Sequence, residues 1–231
     1  MQKKLDFILK FWILLLTLSA GFLNASVFLT YGVVVTHHTG TSTQVGINII
    51  HKTSDSIVLL VGLLFAYILG AMLSGYVFHS EEFGPKKRYG LTLIYLSLGL
   101  FLVKWLHFAD HFFLWYASFM MGTQNGMFVF YRGMVIRTSH MTGNLTDIGL
   151  TLGRWIRGND RRYRNKFTFL LANWVSFVIG CMSASFAVQI IGNSAFYLAS
   201  LISGFAGLYY FLLYHLLKRH INSILDIPNN R

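Results

Sequence analysis

The chain alternates between long apolar stretches and short polar segments, and this pattern predicts its elements. The apolar stretches lie at residues 11–35, 57–79, 91–107, 112–131, 167–191 and 195–217. As a helix, each is long enough to cross a hydrocarbon core about 30 Å thick. We therefore predict an all-α membrane protein with six transmembrane helices in a single integral membrane domain over residues 1–231.

Composition agrees with a chain whose main partner is the lipid bilayer. Charged residues make up 12% of the sequence, against about 25% in soluble domains. The net charge of +11 does not indicate nucleic-acid binding, because the basic residues lie between apolar stretches rather than on one amphipathic face. Cys181 is the only cysteine, so no disulfide forms within the chain.

The placement of basic residues predicts the orientation. If both termini are cytoplasmic, 17 of the 19 lysines and arginines lie on the inner side, and Lys52 and Lys104 lie outside. Such a split favours this topology strongly. The densest basic segment, which can also contact anionic lipid, contains Arg157, Arg161, Arg162, Arg164 and Lys166.

The second half of the chain repeats the first. Matching segments occur at residues 21–24 and 122–125, 37–46 and 140–149, and 68–72 and 178–182. Each copy, about residues 8–110 and 111–218, contains three predicted spans. Three is an odd number, so we predict two inverted three-helix repeats, an architecture found in many transporters. In a rival arrangement the repeated Thr-Gly segments also cross, which places five basic residues outside instead of two.

The Thr-Gly segments, Thr39-Gly40 and Thr142-Gly143, predict two further helix starts. About 12 residues of helical pattern follow each, enough for a half-helix or re-entrant segment but too short to cross alone. Both helices carry a polar stripe at matching positions, formed by Thr41, Gln44, Asn48 and His51 in the first copy and by Asn144, Asp147, Thr151 and Arg154 in the second.

Two interpretations of these helices remain open. They can lie at the two membrane surfaces as amphipathic helices. Alternatively, their polar faces line a shared cavity, because irregular backbone at membrane depth is tolerated only where protein or water receives it. In the second case the helix N-termini also offer unpaired N–H groups to an anionic group.

The repeated segments resemble the YoaK family of bacterial inner-membrane proteins, which is defined by domain of unknown function 1275. The resemblance rests on residues 20–24 with 37–41, and on residues 122–125 with 137–147, which carry Gly-x-Gln-Asn and Arg-Thr-x-His-x-Thr-Gly-x-x-Thr-Asp motifs. Asn24 stands where the family usually has Asp. The resemblance implies six membrane helices in the bacterial inner membrane and brings no established activity.

Asp147 is the acidic residue that we expect to function, by binding a proton or a cationic group. An ionisable side chain inside the membrane costs about 2.5–3.5 kcal/mol to insert and is a functional candidate by default. The alternative is a structural ion pair with Arg132, Arg137 or Arg154. Arg132, at the end of the fourth stretch, either extends to the inner interface or binds a carboxylate or phosphate.

The other candidates lie in the repeated polar segments. His37 and His140 are either a proton relay or hydrogen-bonded turn residues, and Asn24 and Asn125 either join helices or contact substrate. The predicted substrate- or ion-binding set is Asn24, His37, Thr39, Gly40, Gln44, Asn48, Asn125, Arg132, His140, Thr142, Gly143, Asn144, Asp147 and Thr151. We expect no metal and no cofactor, because no cysteine or carboxylate joins the histidines at ligand spacing.

These features predict a small secondary transporter of an unidentified solute, with alternating access between inverted repeats. Asp147, together with His37 or His140, would couple protons. One alternative is a channel or facilitator with paired re-entrant half-helices, and another is a structural or regulatory membrane protein that acts through the basic inner loop. An enzyme is not expected, because the sequence shows no catalytic constellation. A homo-oligomer is compatible with all of these.

Overall fold

The computed structural model describes residues 2–51, 54–78, 86–127, 129–131 and 134–225. Within these ranges the chain is helical apart from short connections and one hairpin. The helices are α1 (Gln2–Tyr31), α2 (Thr39–His51), α3 (Ser54–Val77), α4 (Arg88–Trp105), α5 (Asp110–Gly126), α6 (Met141–Gly158), α7 (Arg161–Ile191) and α8 (Ala195–Leu225). The strands β1 (Val129–Tyr131) and β2 (Met134–Ile136) pair antiparallel between α5 and α6. The predicted all-α class is confirmed, with this hairpin added.

The first helix of each half packs in parallel with the second long helix of the other half. On α1 and α7, Thr17 Oγ1 donates to Asn173 Oδ1 at 2.6 Å, and one turn further along both helices Gly21 faces Phe177. The α3–α5 pair has the same arrangement. There Ser118 Oγ donates to the Leu63 carbonyl at 2.8 Å, and Gly122 faces Tyr67 one turn further on.

The last long helix of each half, α4 and α8, packs against the other in antiparallel fashion. Ser97 Oγ donates to the Ser200 carbonyl at 2.7 Å, and Ser200 Oγ donates to the Ser97 carbonyl at 2.6 Å. Gly90, which precedes Ser97, faces Gly207, which follows Ser200. The reciprocal serine pair satisfies two hydroxyl groups inside an apolar interface.

Four glycines allow the parallel pairs to approach closely. They are Gly21 on α1, Gly180 on α7, Gly70 on α3 and Gly122 on α5. A β-carbon at any of them would overlap the backbone carbonyl of the facing helix. Small residues at such positions are what membrane helix interfaces require. The facing carbonyls belong to Phe177, Leu18, Phe119 and Tyr67, respectively.

Several helix ends differ from the sequence-based boundaries. The first helix stops at Tyr31 rather than residue 35, because Gly32 takes a left-handed backbone with φ +71°. The fourth stretch was expected to remain helical to residue 131, which is wrong, because the helix ends at Gly126 and residues 129–131 form β1. α7 begins six residues earlier than expected, where Asp160 accepts a hydrogen bond from the Arg162 N–H at 2.7 Å and caps the helix.

Three stretches of the described residues are long and apolar enough to cross a membrane by length and composition, namely Leu5–Tyr31, Asp55–Val77 and Arg161–Lys218. The last contains both α7 and α8, which a short 3-10 turn at Gly192–Ser194 separates. α4 carries Arg88 and Lys104 at its ends, and α5 has 17 residues. The chain is therefore a helical protein with apolar, membrane-compatible helices, and the six spans remain a prediction.

Candidate functional site

An asparagine near the end of α1 and another near the end of α5 anchor the connection to the following short helix. Asn24 Oδ1 accepts the Val35 N–H at 3.1 Å, and Asn125 Oδ1 accepts the Ser139 N–H at 3.1 Å. Asn125 Nδ2 also donates to the Tyr67 hydroxyl at 2.8 Å. The repeated Asn thus has the same role in both halves, which is to fold the connecting segment back onto its own helix.

The two connecting segments meet inside the protein. Ser139 Oγ donates to the Thr36 carbonyl at 3.2 Å, and these residues are only 1% and 2% exposed. α2 begins at Thr39, three residues after Thr36, and α6 begins at Met141, two residues after Ser139. The N-termini of both short helices therefore lie close to one buried contact between the two halves.

His38 holds the connecting segment between α1 and α2 in place through contacts on both sides of its ring. Its Nε2 lies 3.3 Å from Ser118 Oγ, its Nδ1 lies 3.3 Å from Thr41 Oγ1, and its ring meets the Tyr67 ring edge-on at 4.6 Å. The imidazole thus serves as a hydrogen-bonded turn residue.

A cavity of about 400 Å³ opens beside the second segment, between the hairpin, the start of α6 and the middle of α7. Ile136, Gly143 and Leu170 form its apolar wall. Its polar wall contains one guanidinium, one carboxylate, one imidazole and three neutral polar groups, contributed by Arg137, Asp147, His140, Asn144, Thr146 and Asn173.

Asn144, which lines this cavity, has an unused acceptor. The side chain is 7% exposed, and its Nδ2 donates to the Leu170 carbonyl at 3.3 Å. Its Oδ1 is buried without a hydrogen-bond partner among the described residues. Because a buried polar atom without a partner costs free energy, this oxygen marks a position where a ligand donor would be stabilised.

The charged groups of the cavity are not paired with each other. Within the part of the chain that the structure describes, Asp147 takes part in no ion pair with Arg137 or Arg154. Arg154 instead lies over the Tyr163 ring, 5.6 Å from its centre. Asp147 is exposed and lines the cavity rather than being buried among packed side chains.

Arg137 borders a second cavity, of about 310 Å³, on the other side of the hairpin connection. That cavity lies between α3 and α5 and is lined by Tyr67, Asn125 and several small residues, among them Gly122. The single guanidinium therefore borders open space next to both parallel helix pairs.

The structure brings together only part of the predicted site. His140, Gly143, Asn144 and Asp147 line the larger cavity, and Asn125 lines the smaller one. Thr142 is exposed outside both. Thr151 is buried, and its hydroxyl is used within α6, where it donates to the Asp147 carbonyl at 2.7 Å. Arg132 lies outside the described residues.

The first-copy candidates do not line either cavity. His37, Thr39, Gly40 and Gln44 are exposed, and Asn48 Nδ2 donates to the Gln44 carbonyl at 2.8 Å within α2. Of the first polar stripe only Thr41 is buried, where it contacts His38. The two polar stripes therefore do not face one common space in this structure; the connecting segments before the helices meet instead.

Gly143 accommodates a neighbouring side chain rather than a left-handed backbone. Its φ is not left-handed, and a β-carbon there would overlap the His140 ring, 2.7 Å from Nδ1. Glycine at this position makes room for the imidazole above the start of α6. Gly40 has open space around it and no such neighbour.

Three polar residues of the larger cavity, Arg137, Thr146 and Asn173, were not chosen from the sequence as binding residues. Arg137 was considered only as an ion-pair partner of Asp147. Asn173 is a polar residue within the apolar stretch 167–191. This departure from the apolar pattern could have identified it as a candidate for the site. Asn173 is 1% exposed and is fixed by its hydrogen bond from Thr17.

The comparison with protein families decides the affiliation of the chain. A family model described as protein of unknown function (DUF1275) matches residues 12–209. The chain belongs to this family. The match runs from α1 into α8 and includes both Thr-Gly segments, which confirms the resemblance drawn from the motifs. No curated protein and no solved structure matches the chain. The family description names no activity, so the function has to be argued from the site.

Proposed function

We propose that this DUF1275 protein is a small secondary transporter of the bacterial inner membrane, with six spans, cytoplasmic termini and two inverted repeats that alternate access to a solute site. The observation that carries the proposal is the buried Ser139–Thr36 contact between the two connecting segments. Beside it lies a cavity that contains Arg137 and Asp147, which form no ion pair with each other or with any other described residue. Discontinuous helices that begin near the middle of the membrane are typical substrate-binding elements of inverted-repeat transporters.

Helix directions support the inversion. α1 is antiparallel to α8, since Trp12 Nε1 donates to the Ala206 carbonyl while Ser19, further along α1, contacts Ser203. Because α8 is antiparallel to α4, α1 and α4 run the same way. α4 and α5 run in opposite directions, with the Tyr116 hydroxyl donating to the Leu96 carbonyl at 3.0 Å. The equivalent helices α1 and α5 therefore point in opposite directions, as inverted repeats require.

The same directions argue against the rival in which α2 crosses the membrane. α3 runs parallel to α5 and hence opposite to α1. If α1 crosses outward, α3 crosses inward, so the segment between them begins and ends on one side. A re-entrant α2 meets this condition and a crossing α2 does not. The corresponding argument holds for α6, because α7 runs parallel to α1 and opposite to α5.

A channel or facilitator remains the second candidate, because the meeting of two re-entrant segments at Thr36 and Ser139 would also suit a pore. Flux through proteoliposomes separates the two. A transporter saturates with solute and shows accelerated exchange against solute on the far side, whereas a pore does neither. The panel should contain radiolabelled amino acids, monocarboxylates, amines, sugars and nucleosides, and the absence of protein-dependent flux for all of them would count against both functions.

Sidedness tests the proposed topology directly. In a Cys181→Ser background, we expect a cysteine at Ser56 to react with an impermeant maleimide in intact cells and a cysteine at Gly158 to react only after lysis. Both positions are exposed, and Gly158 is preferred over Asn159 because Asn159 takes a left-handed φ of +44°. Lysed cells control for reactivity. Equal labelling of both positions in intact cells would contradict the inverted topology.

An aromatic cage joins the two halves at the proposed outer end. The Lys104 ammonium lies 5.1 Å and 5.0 Å from the ring centres of Phe113 and Phe196 and 3.5 Å from the Tyr31 hydroxyl. Tyr31 in turn donates to Asp110 Oδ1 at 2.9 Å. Tyr31 and Lys104 come from the first half and the two Phe rings from the second, so this cluster would keep the outer side closed.

We expect Lys104→Gln to loosen the outer closure. A partly desolvated cation over aromatic rings contributes about 2 kcal/mol, so labelling of a cysteine at buried Thr36 from the outside should accelerate by about thirtyfold. Lys104→Arg keeps the cation and should change the labelling rate little. An unchanged rate in Lys104→Gln would remove the cage from the transport cycle.

A further inference from the structure

The side chains that line the larger cavity indicate which chemical groups a ligand would carry. Its only formally charged side chains at neutral pH are Arg137 and Asp147 among the described residues, and they form no ion pair across the cavity. Both side chains are exposed and line the same cavity, so each is accessible to a ligand group of opposite charge. Their separation in an open cavity leaves one site for an anionic group and another for a cationic group.

The anionic half of a ligand would lie beside Arg137 and the first turn of α6. The first N–H groups of a helix lack intrahelical acceptors, and the dipole of the helix adds positive potential there. Gly143, in this turn, lines the cavity, and the His140 ring lies where its β-carbon would be. A planar guanidinium and the positive end of a helix are both suited to a carboxylate.

The cationic half would lie beside Asp147 and Asn144. These residues are neighbours on one face of α6, three positions apart. Asp147 supplies the charge, and Asn144 supplies the buried Oδ1 that has no partner among the described residues. Two oxygen acceptors, one of them charged, are suited to the N–H donors of an ammonium group.

We propose that the site takes a small zwitterion, with a carboxylate at Arg137 and the start of α6 and an ammonium group at Asp147 and Asn144. The volume of about 400 Å³ is within the range of small-molecule sites. The proposal rests on the proposed transport function, and it specifies the class of solute as amino-acid-like compounds.

The test uses three compounds that share one carbon skeleton: L-leucine, 4-methylpentanoate, which lacks the ammonium group, and isoamylamine, which lacks the carboxylate. A second series of 4-aminobutyrate, butyrate and propylamine has the charges further apart. Binding to the purified full-length protein in lipid nanodiscs is measured as the shift in melting temperature with ligand concentration. We expect a zwitterion to bind at least about tenfold more tightly than both of its singly charged analogues.

Two substitutions assign the charges. In Asp147→Asn the zwitterion and its carboxylate analogue should bind equally, and in Arg137→Gln the zwitterion and its amine analogue should bind equally. Asp160→Asn and Arg154→Gln remove the same charges outside the cavity, and Asn keeps the capping ability of Asp160. Both controls should retain the preference for the zwitterion.

Other outcomes overturn the proposal in distinguishable ways. If a monocarboxylate binds as tightly as the zwitterions and depends on Arg137 alone, the solute is an anion, and transport can still hold. If no zwitterion of either series shifts the melting temperature, the assigned class is wrong. If the zwitterions bind with the expected dependence but proteoliposomes show no flux, the site assignment holds and the transport function fails.

Discussion

Replacing Asp147 by asparagine is expected to reduce uptake to the level of protein-free vesicles, or to remove its dependence on pH, while the protein still folds. The carboxylate lines the larger cavity with His140 and has no ion-pair partner among the described residues, so its charge is available to a proton or a cationic group. Asparagine has the same shape and cannot carry a proton or a negative charge. The measurement is uptake of radiolabelled L-leucine and 4-aminobutyrate into proteoliposomes with and without an imposed proton gradient.

The control for this experiment is Asp160→Asn, which removes a carboxylate from the exposed start of α7. It should leave uptake and its pH dependence unchanged. Melting temperatures of both variants should stay close to that of the native protein, because Asp147 is exposed and forms no packing contact that asparagine would lose. Uptake by Asp147→Asn at the native rate and with the native pH profile would remove Asp147 from the mechanism.

The repeat was readable from the sequence because its physical causes are local. Gly21 and Gly122 recur because each faces a backbone carbonyl of a neighbouring helix, and Asn24 and Asn125 recur because each binds an N–H of the segment that follows. A glycine or an asparagine is difficult to replace at such positions, so both copies retain it. Helix ends were harder to predict from the sequence. The end of α6, for example, is set by the left-handed backbone of Asn159, and an apolar pattern does not reveal backbone conformation.

The site could be predicted only in part, because a helical stripe does not specify which neighbour it faces. Asn144 and Asp147 line the cavity, whereas Thr151 is buried and bonds within α6, and Arg154 lies over Tyr163. In the first copy the matching stripe is largely exposed. Arg137 directly follows the β1–β2 hairpin, whose two three-residue strands lie inside what the sequence predicted as the end of a helix and a loop.

The contact between Ser139 and Thr36 also could not be predicted from the sequence, although the two residues occupy matching positions in the repeat. Pattern analysis compares the copies with each other and does not indicate that they touch. When two copies are related by an axis, residues close to that axis meet their own equivalents. Thr36 and Ser139 have this relation, because residues 37–46 and 140–149 match at the same offset of 103 positions. Such a self-pairing contact would mark the axis of the proposed rocking motion.

Alanine at Gly21 or at Gly122 is expected to destabilise the protein by a similar amount, about 3 kcal/mol each, at the upper end of the usual cost of overpacking. The new methyl group would overlap the carbonyl of Phe177 in the first case and of Tyr67 in the second. Backbone of a packed helix cannot move aside as a flexible side chain can, so the helix pairs must separate. Unfolding of the purified protein in mixed micelles, followed by circular dichroism with increasing denaturant, measures both changes.

Gly75→Ala is the matched control, because Gly75 lies on α3 with open space where the β-carbon would be. It should leave stability unchanged or raise it slightly, since alanine is the better helix former. Equal losses of stability for Gly21→Ala and Gly122→Ala would mean that the α1–α7 and α3–α5 pairs are energetically equivalent. A symmetric rocking mechanism requires this equivalence, because the two halves take each other's role in the inward-open and outward-open states. A large loss at one position and none at the other would show that only one pair holds the protein together, and a symmetric rocking mechanism would then have no basis in these interfaces.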